Sequence, residues 1–169
     1  QRKEKLSVRR YIRVASILIG RGSYQDCFSY LDKIENTFGS NYSTEDEKEV
    51  LLLKAEILKA TGKTEESTII LRRVVESHPL EGKALIMLGQ HAWEQNDYAL
   101  ASLHFERAAK IKDSEVKALI EHGRMLVSQR DYQKAVQLID QAERISPQPR
   151  IKRYLESIRN LLLSSRVRL

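Results

Sequence analysis

GKALIMLGQHAWEQNDYALASLHFERAAKIKDSE, residues 82–115, is followed without a break by VKALIEHGRMLVSQRDYQKAVQLIDQAERISPQP, residues 116–149. Laid one above the other, the two 34-residue windows match small residue to small residue and apolar to apolar. Gly89 falls on Gly123, Ala101 on Ala135, Phe105 on Ile139 and Ala108 on Ala142. The same beat reaches back to Ala55, Ser67, Leu71 and Val74. Pro79 and Pro147 are two beats apart, with Asp113 midway. Small residues recur where two helices must touch, and apolar residues recur where a core must form. The pattern implies a stacked array of helix pairs.

Counted in register, the chain holds four units, 8–41, 48–81, 82–115 and 116–149. Each carries two stripes of apolar residues spaced three and four apart, as on two antiparallel helices. In the third unit these are Leu85, Leu88, Gly89 and Ala92, then Tyr98, Ala101, Phe105 and Ala108, with the turn at Asn96-Asp97. The fourth repeats them with Leu119, Gly123 and Leu126, then Tyr132, Ala135, Ile139 and Ala142. Between the first and second units stand six extra residues, Tyr42 to Glu47. With Gly39 and Ser40 before them, they read as a lengthened loop, and Ser43 or Thr44 is placed to cap the next helix. After Pro147 and Pro149 a last helix, 150–164, sets Ile151, Tyr154, Leu155, Ile158, Leu161 and Leu162 on one face and arginines on the other. It enters two residues early for the beat and reads as a capping helix. Beyond it, Ser164 to Leu169 is expected to fray.

This register resembles the tetratricopeptide repeat family. Five features carry the resemblance: the large residue at position 4 of each unit (Tyr11, Leu51, Leu85, Leu119), the small residue at position 8 (Ala15, Ala55, Gly89, Gly123), the turn tyrosine (Tyr24, Tyr98, Tyr132), the small residue of the second helix (Cys27, Ser67, Ala101, Ala135), and the terminal proline (Pro79, Pro147). Lys54 and His122 depart from the leucine usual at position 7, and Thr64 from the tyrosine. The resemblance implies an all-α fold, a right-handed α-solenoid of antiparallel helix pairs, forming one domain over 1–169.

It also implies a non-catalytic module, a scaffold or adaptor that binds a peptide or amphipathic helix in a concave groove lined by positions 2, 5, 9 and 12 of the first helices. Position 5 reads Ile12, Leu52, Ile86 and Ile120, aliphatic in every unit. Around it stand Glu56, Gln90 and Arg124 at position 9, Lys83 and Lys117 at position 2, and Trp93 at position 12. Packing between neighbouring first helices is the competing reading for the aliphatics. The chaperone-binding subset grips a C-terminal carboxylate with basic and amide side chains. The equivalent positions here are Ile12, Ser16, Leu53 and Met87, with Lys83 the one suitable residue, which argues against such a clamp.

Composition narrows the remaining classes. The chain of 169 residues is 41% hydrophobic and 31% charged, enough to bury a core and stay soluble. No apolar run approaches the roughly 20 residues needed to span a bilayer. The single cysteine, Cys27, has no internal partner and reads as a packing residue. The four histidines share no ligand spacing, and no cofactor or metal is expected. Gly20-Arg21-Gly22 lacks the lysine and the preceding strand of a phosphate loop. Residues 1–13 carry +5 and residues 144–169 carry +6 of a total of +6, which leaves −5 between them. That acidic body disfavours nucleic acid, and any membrane contact is expected to be indirect. A homodimer through the C-terminal helix, or a regulatory region of a larger protein with domains upstream, is the alternative. A cytoplasmic location is favoured, with a periplasmic one open if an upstream leader has been removed.

Overall fold

The computed structural model describes residues 2–39 and 43–167. The described residues form nine α-helices and no strand: α1 Arg2–Gly20, α2 Tyr24–Phe38, α3 Thr44–Ala60, α4 Thr64–Ser77, α5 Gly82–Glu94, α6 Tyr98–Ala109, α7 Glu115–Ser128, α8 Tyr132–Ile145 and α9 Pro149–Val167. Packing follows the register. Successive helices pair as α1–α2, α3–α4, α5–α6 and α7–α8, and α9 lies on α8. The sequence reading treats 1–169 as one domain; the contacts gather into two compact units, Gln1–Pro79 and Leu80–Leu169.

In the first unit α1 packs on both α2 and α3. Val8, Ala15, Cys27, Leu31, Ile34, Val50, Leu53 and Ile57 form its core. Tyr11, Tyr30 and Phe38 close one edge, with Tyr11 centred 5.9 Å from Tyr30 and 6.1 Å from Phe38. In the second unit α7 packs on α5 and α6. Leu85, Phe105, Met125, Ile139 and Ile158 are fully buried there.

The first helix of every pair ends in the same backbone device. Position 15 of the beat takes a positive φ: Gly22 at 75°, Gly62 at 81°, Asn96 at 61° and Arg130 at 63°. The next amide then reaches back to the carbonyl at position 11. Ser23 N–H donates to Leu18, Lys63 to Leu58, Asp97 to Ala92 and Asp131 to Leu126, each at 2.8–2.9 Å. This is the Schellman closure, which satisfies carbonyls the helix end would leave open. Asp97 and Asp131 then cap α6 and α8 by accepting from the N–H of Leu100 at 3.0 Å and of Lys134 at 3.1 Å.

Three boundaries differ from the sequence reading. Thr44 to Glu47 form an extra first turn of α3, so most of the six-residue insertion is helix. Ser43 caps it: Asp46 N–H donates to Ser43 Oγ at 3.2 Å, and Ser43 Oγ–H donates to Asp46 Oδ2 at 2.6 Å. Three acids in that turn suit the positive end of the helix, which is why the turn winds up. Asn41 and Tyr42 lie outside the described residues. At the C-terminus Ser164 continues in α9, which runs to Val167 where fraying was expected. At the other end α1 begins at Arg2, six residues ahead of the first unit.

Candidate functional site

The first helices α1, α3, α5 and α7 carry the ten residues singled out from the sequence. In the first unit, Ile12 and Leu52 are each 5% exposed, so they serve packing. Ile12 floors a cleft of about 510 Å³ lined also by Arg9, Arg13, Ser16, Ile17 and Glu49. Ile17 stands 50% exposed on its rim. Arg9 Nε donates to Asp46 Oδ1 at 3.3 Å, which ties α1 to the cap of α3. Asp46 is itself buried, and its burial is tolerable because the arginine and Ser43 share its charge. Glu56 is half-buried on α3.

In the second unit Ile86 is 2% exposed. Lys83, Gln90 and Trp93 are half-buried, while Lys117 and Arg124 are exposed. Arg124 Nη1 donates to both oxygens of Glu121, at 3.2 and 3.4 Å. Ile120 is the exception at position 5: it is half-buried rather than buried. The reason lies in the helix that follows. α9 docks on α8 through Ile151, Leu155 and Ile158. Between it and α7 lies a cleft of about 550 Å³, lined by Val116, Lys117, Ile120, Glu121, Arg150, Ile151 and Tyr154, with Asp113, Ser146 and Gln148 at its loop end.

Position 5 is aliphatic four times over, yet it emerges toward solvent in one unit alone. The signal for burial was the uniformity itself, since a β-branched or leucine side chain at every beat suits packing between parallel first helices. Because α9 breaks phase, the beat assigns no groove position to Arg150, Ile151 or Tyr154. Their signal was a phenol among the aliphatics of a terminal helix, an apolar body with a polar tip.

The groups with chemical potential are otherwise engaged. Cys27 is fully buried, and its Sγ–H donates to the Ala15 carbonyl at 3.3 Å. Burial, helped by the charge of Glu56, pushes the thiol up to about 11. Ser67 makes the same bond one unit on, donating to the Ala55 carbonyl at 2.7 Å. His122 packs its ring 5.8 Å from Phe105, with Nε2 3.1 Å from Ser102 Oγ. Burial holds its imidazole below the ordinary value; Lys134 adds to this and Glu106 opposes it. Among the described residues no cluster of His, Cys, Asp and Glu could hold a metal ion. No described helix is long and apolar enough to cross a membrane.

The profile of the tetratricopeptide repeat family matches residues 52–116 and 86–148, more than half of the chain. The chain belongs to the tetratricopeptide repeat family. The repeats of this family are in general protein-interaction scaffolds. Two solved structures share the fold. One, described as a MamA RS-1 ArsTM double mutant, has 14% identity and a TM-score of 0.64 over 89% of this chain and 82% of that one. Another, a second MamA mutant, has 16% identity and a TM-score of 0.61 over 94% and 90%. No curated protein sequence matches the chain.

Proposed function

We propose that this tetratricopeptide repeat chain is a non-catalytic scaffold whose first-helix faces take a peptide or an amphipathic helix of a partner protein. The observation that carries the reading is the pair Trp93 and Ile120. Both belong to the groove positions of the beat, and both keep part of an apolar side chain in solvent. Lys117 and Arg124 are exposed on the same helix as Ile120. A large aromatic or aliphatic anchor ringed by charge suits partner recognition by a few dominant contacts. The absence of an enzyme function is supported by the packing of Cys27 and His122, which are held neutral and engaged with neighbours. Self-association through α9 finds less support. Leu161 and Leu163 are 42% and 61% exposed, but two positions apart on a helix they point to opposite flanks.

The test is affinity capture from the protein's own cells with three baits. Trp93→Ala combined with Arg124→Glu is expected to lose its specific partner by about tenfold or more, as removal of an anchor worth ~1.4 kcal/mol would give. Ile69→Lys, on a side chain of α4 that is 68% exposed, is expected to capture as wild type does. Helical circular dichroism must be equal in all three. Equal capture by the first variant rejects the reading. Ile86→Lys is unsuitable as a probe, because a charge at a 2% exposed position would unfold the unit.

A further inference from the structure

The α7–α9 cleft differs in kind from the other first-helix positions. Its floor is apolar: Val116 and Ile120 on α7, Ile151 and the ring of Tyr154 on α9. Its volume of about 550 Å³ accommodates one or two aliphatic side chains. The charges around it are not balanced evenly. Glu121 is turned inward, 9% exposed, and Arg124 neutralises it. On the rim, Lys117 and Arg150 are exposed, and neither has a carboxylate partner among the described residues. Arg150 does donate from Nε to Gln148 Oε1 at 2.8 Å, which holds the guanidinium at the mouth. Asp113, at the loop end, is the remaining carboxylate of the lining. Lys152 and Arg153 extend the positive surface along α9.

We propose that the α7–α9 cleft is a specificity pocket that takes an aliphatic side chain of the partner segment, with an acidic residue beside that side chain meeting Lys117 and Arg150. This deepens the scaffold reading and rests on it. The occupant follows from charge and shape together. An aliphatic group removes Ile120 and Tyr154, both half-buried, from water, and a neighbouring carboxylate finds two cations with no acidic partner. A lysine or arginine in that place would meet the same two cations and be repelled. Asp113 sets a direction: an acid is accepted on the Lys117–Arg150 side and opposed at the loop end.

The experiment uses the whole chain with isoleucine δ1-methyl labelling and two capped hexapeptides, acetyl-Gly-Glu-Leu-Leu-Glu-Gly-amide and acetyl-Gly-Lys-Leu-Leu-Lys-Gly-amide. The glutamate peptide is expected to shift the Ile120 and Ile151 methyls saturably. It should bind about fivefold or more tightly than the lysine peptide, with the difference shrinking as salt rises. Lys117→Glu combined with Arg150→Glu should reverse the preference. Both side chains are exposed, so the variant keeps its core. Shifts absent from these two methyls with both peptides, equal affinity of the two, or a preference unchanged in the charge-reversed variant would each overturn the proposal. If capture by the whole chain depends on Trp93 and Arg124 while the cleft ignores both peptides, the scaffold reading stands and the pocket falls. If capture is insensitive to Trp93 and Arg124, the scaffold reading itself fails.

Discussion

Positions 8 and 24 of the beat are matched in size, and the match holds in all four units. Where position 8 is alanine (Ala15, Ala55), position 24 is leucine (Leu31, Leu71). Where it is glycine, position 24 is Phe105 or Ile139. A Cβ on Gly89 would sit 2.7 Å from Phe105 Cε1, and one on Gly123 would sit 2.6 Å from Ile139 Cδ1. Gly89→Ala gains up to ~1 kcal/mol of helix propensity but overpacks a fully buried ring, at a cost of about 1–3 kcal/mol. Net destabilisation is expected in urea titrations, and Gly89→Ala with Phe105→Leu should recover most of it, since the pair then copies Ala55 and Leu71. Additive losses would show that the two sites are not coupled. The same ring meets His122, and this sets a pH dependence. Burial lowers the imidazole pKa from its ordinary 6.5, so the unfolded chain takes up the proton more readily. Stability should be level above about pH 7 and fall as pH drops below 6.5, towards the folded value. His122→Leu should flatten that limb of the curve; an unchanged slope in thermal melts would exclude His122 as its source.

At the level of the element, the helix hairpin is closed by backbone conformation. Glycine announced the left-handed residue at 22 and 62, and asparagine, the commonest substitute, at 96. Arg130 announced nothing. It adopts φ 63° because the Schellman bonds and the Asp131 cap on either side fix the chain around it. A β-carbon there costs roughly 1–2 kcal/mol. Arg130→Gly removes that cost but widens the unfolded ensemble, for a net gain of about 0.5–1 kcal/mol. For a chain of this size the melting temperature should rise by about 1–4 °C. A fall on substitution would mean that the arginine side chain contributes contacts of its own. The insertion was misread for a related reason. Tyr42 to Glu47 is rich in turn formers and acids, and those same acids favour the first turn of a helix once Ser43 caps it.

At the level of the whole molecule, the 34-residue beat gave helix number, pairing and most of the core, because the periodicity of core residues is the physical condition for stacking. It placed the candidate residues on the first helices but could not rank their exposure. Exposure at position 5 depends on what covers each helix, and Ile120 faces the cleft between α7 and α9. The phase break after Pro147 is visible in the sequence, whereas the cleft it accompanies depends on how α9 docks on α8. Trp93 has one more consequence. It is the chain's single tryptophan, it is half-buried, and it lies in the second compact unit. Residues 1–79 hold no tryptophan; their phenols are Tyr11, Tyr24, Tyr30 and Tyr42. Red-edge excitation therefore illuminates one unit and leaves the other dark, so this chain carries a built-in optical label that reads out the second unit without any dye.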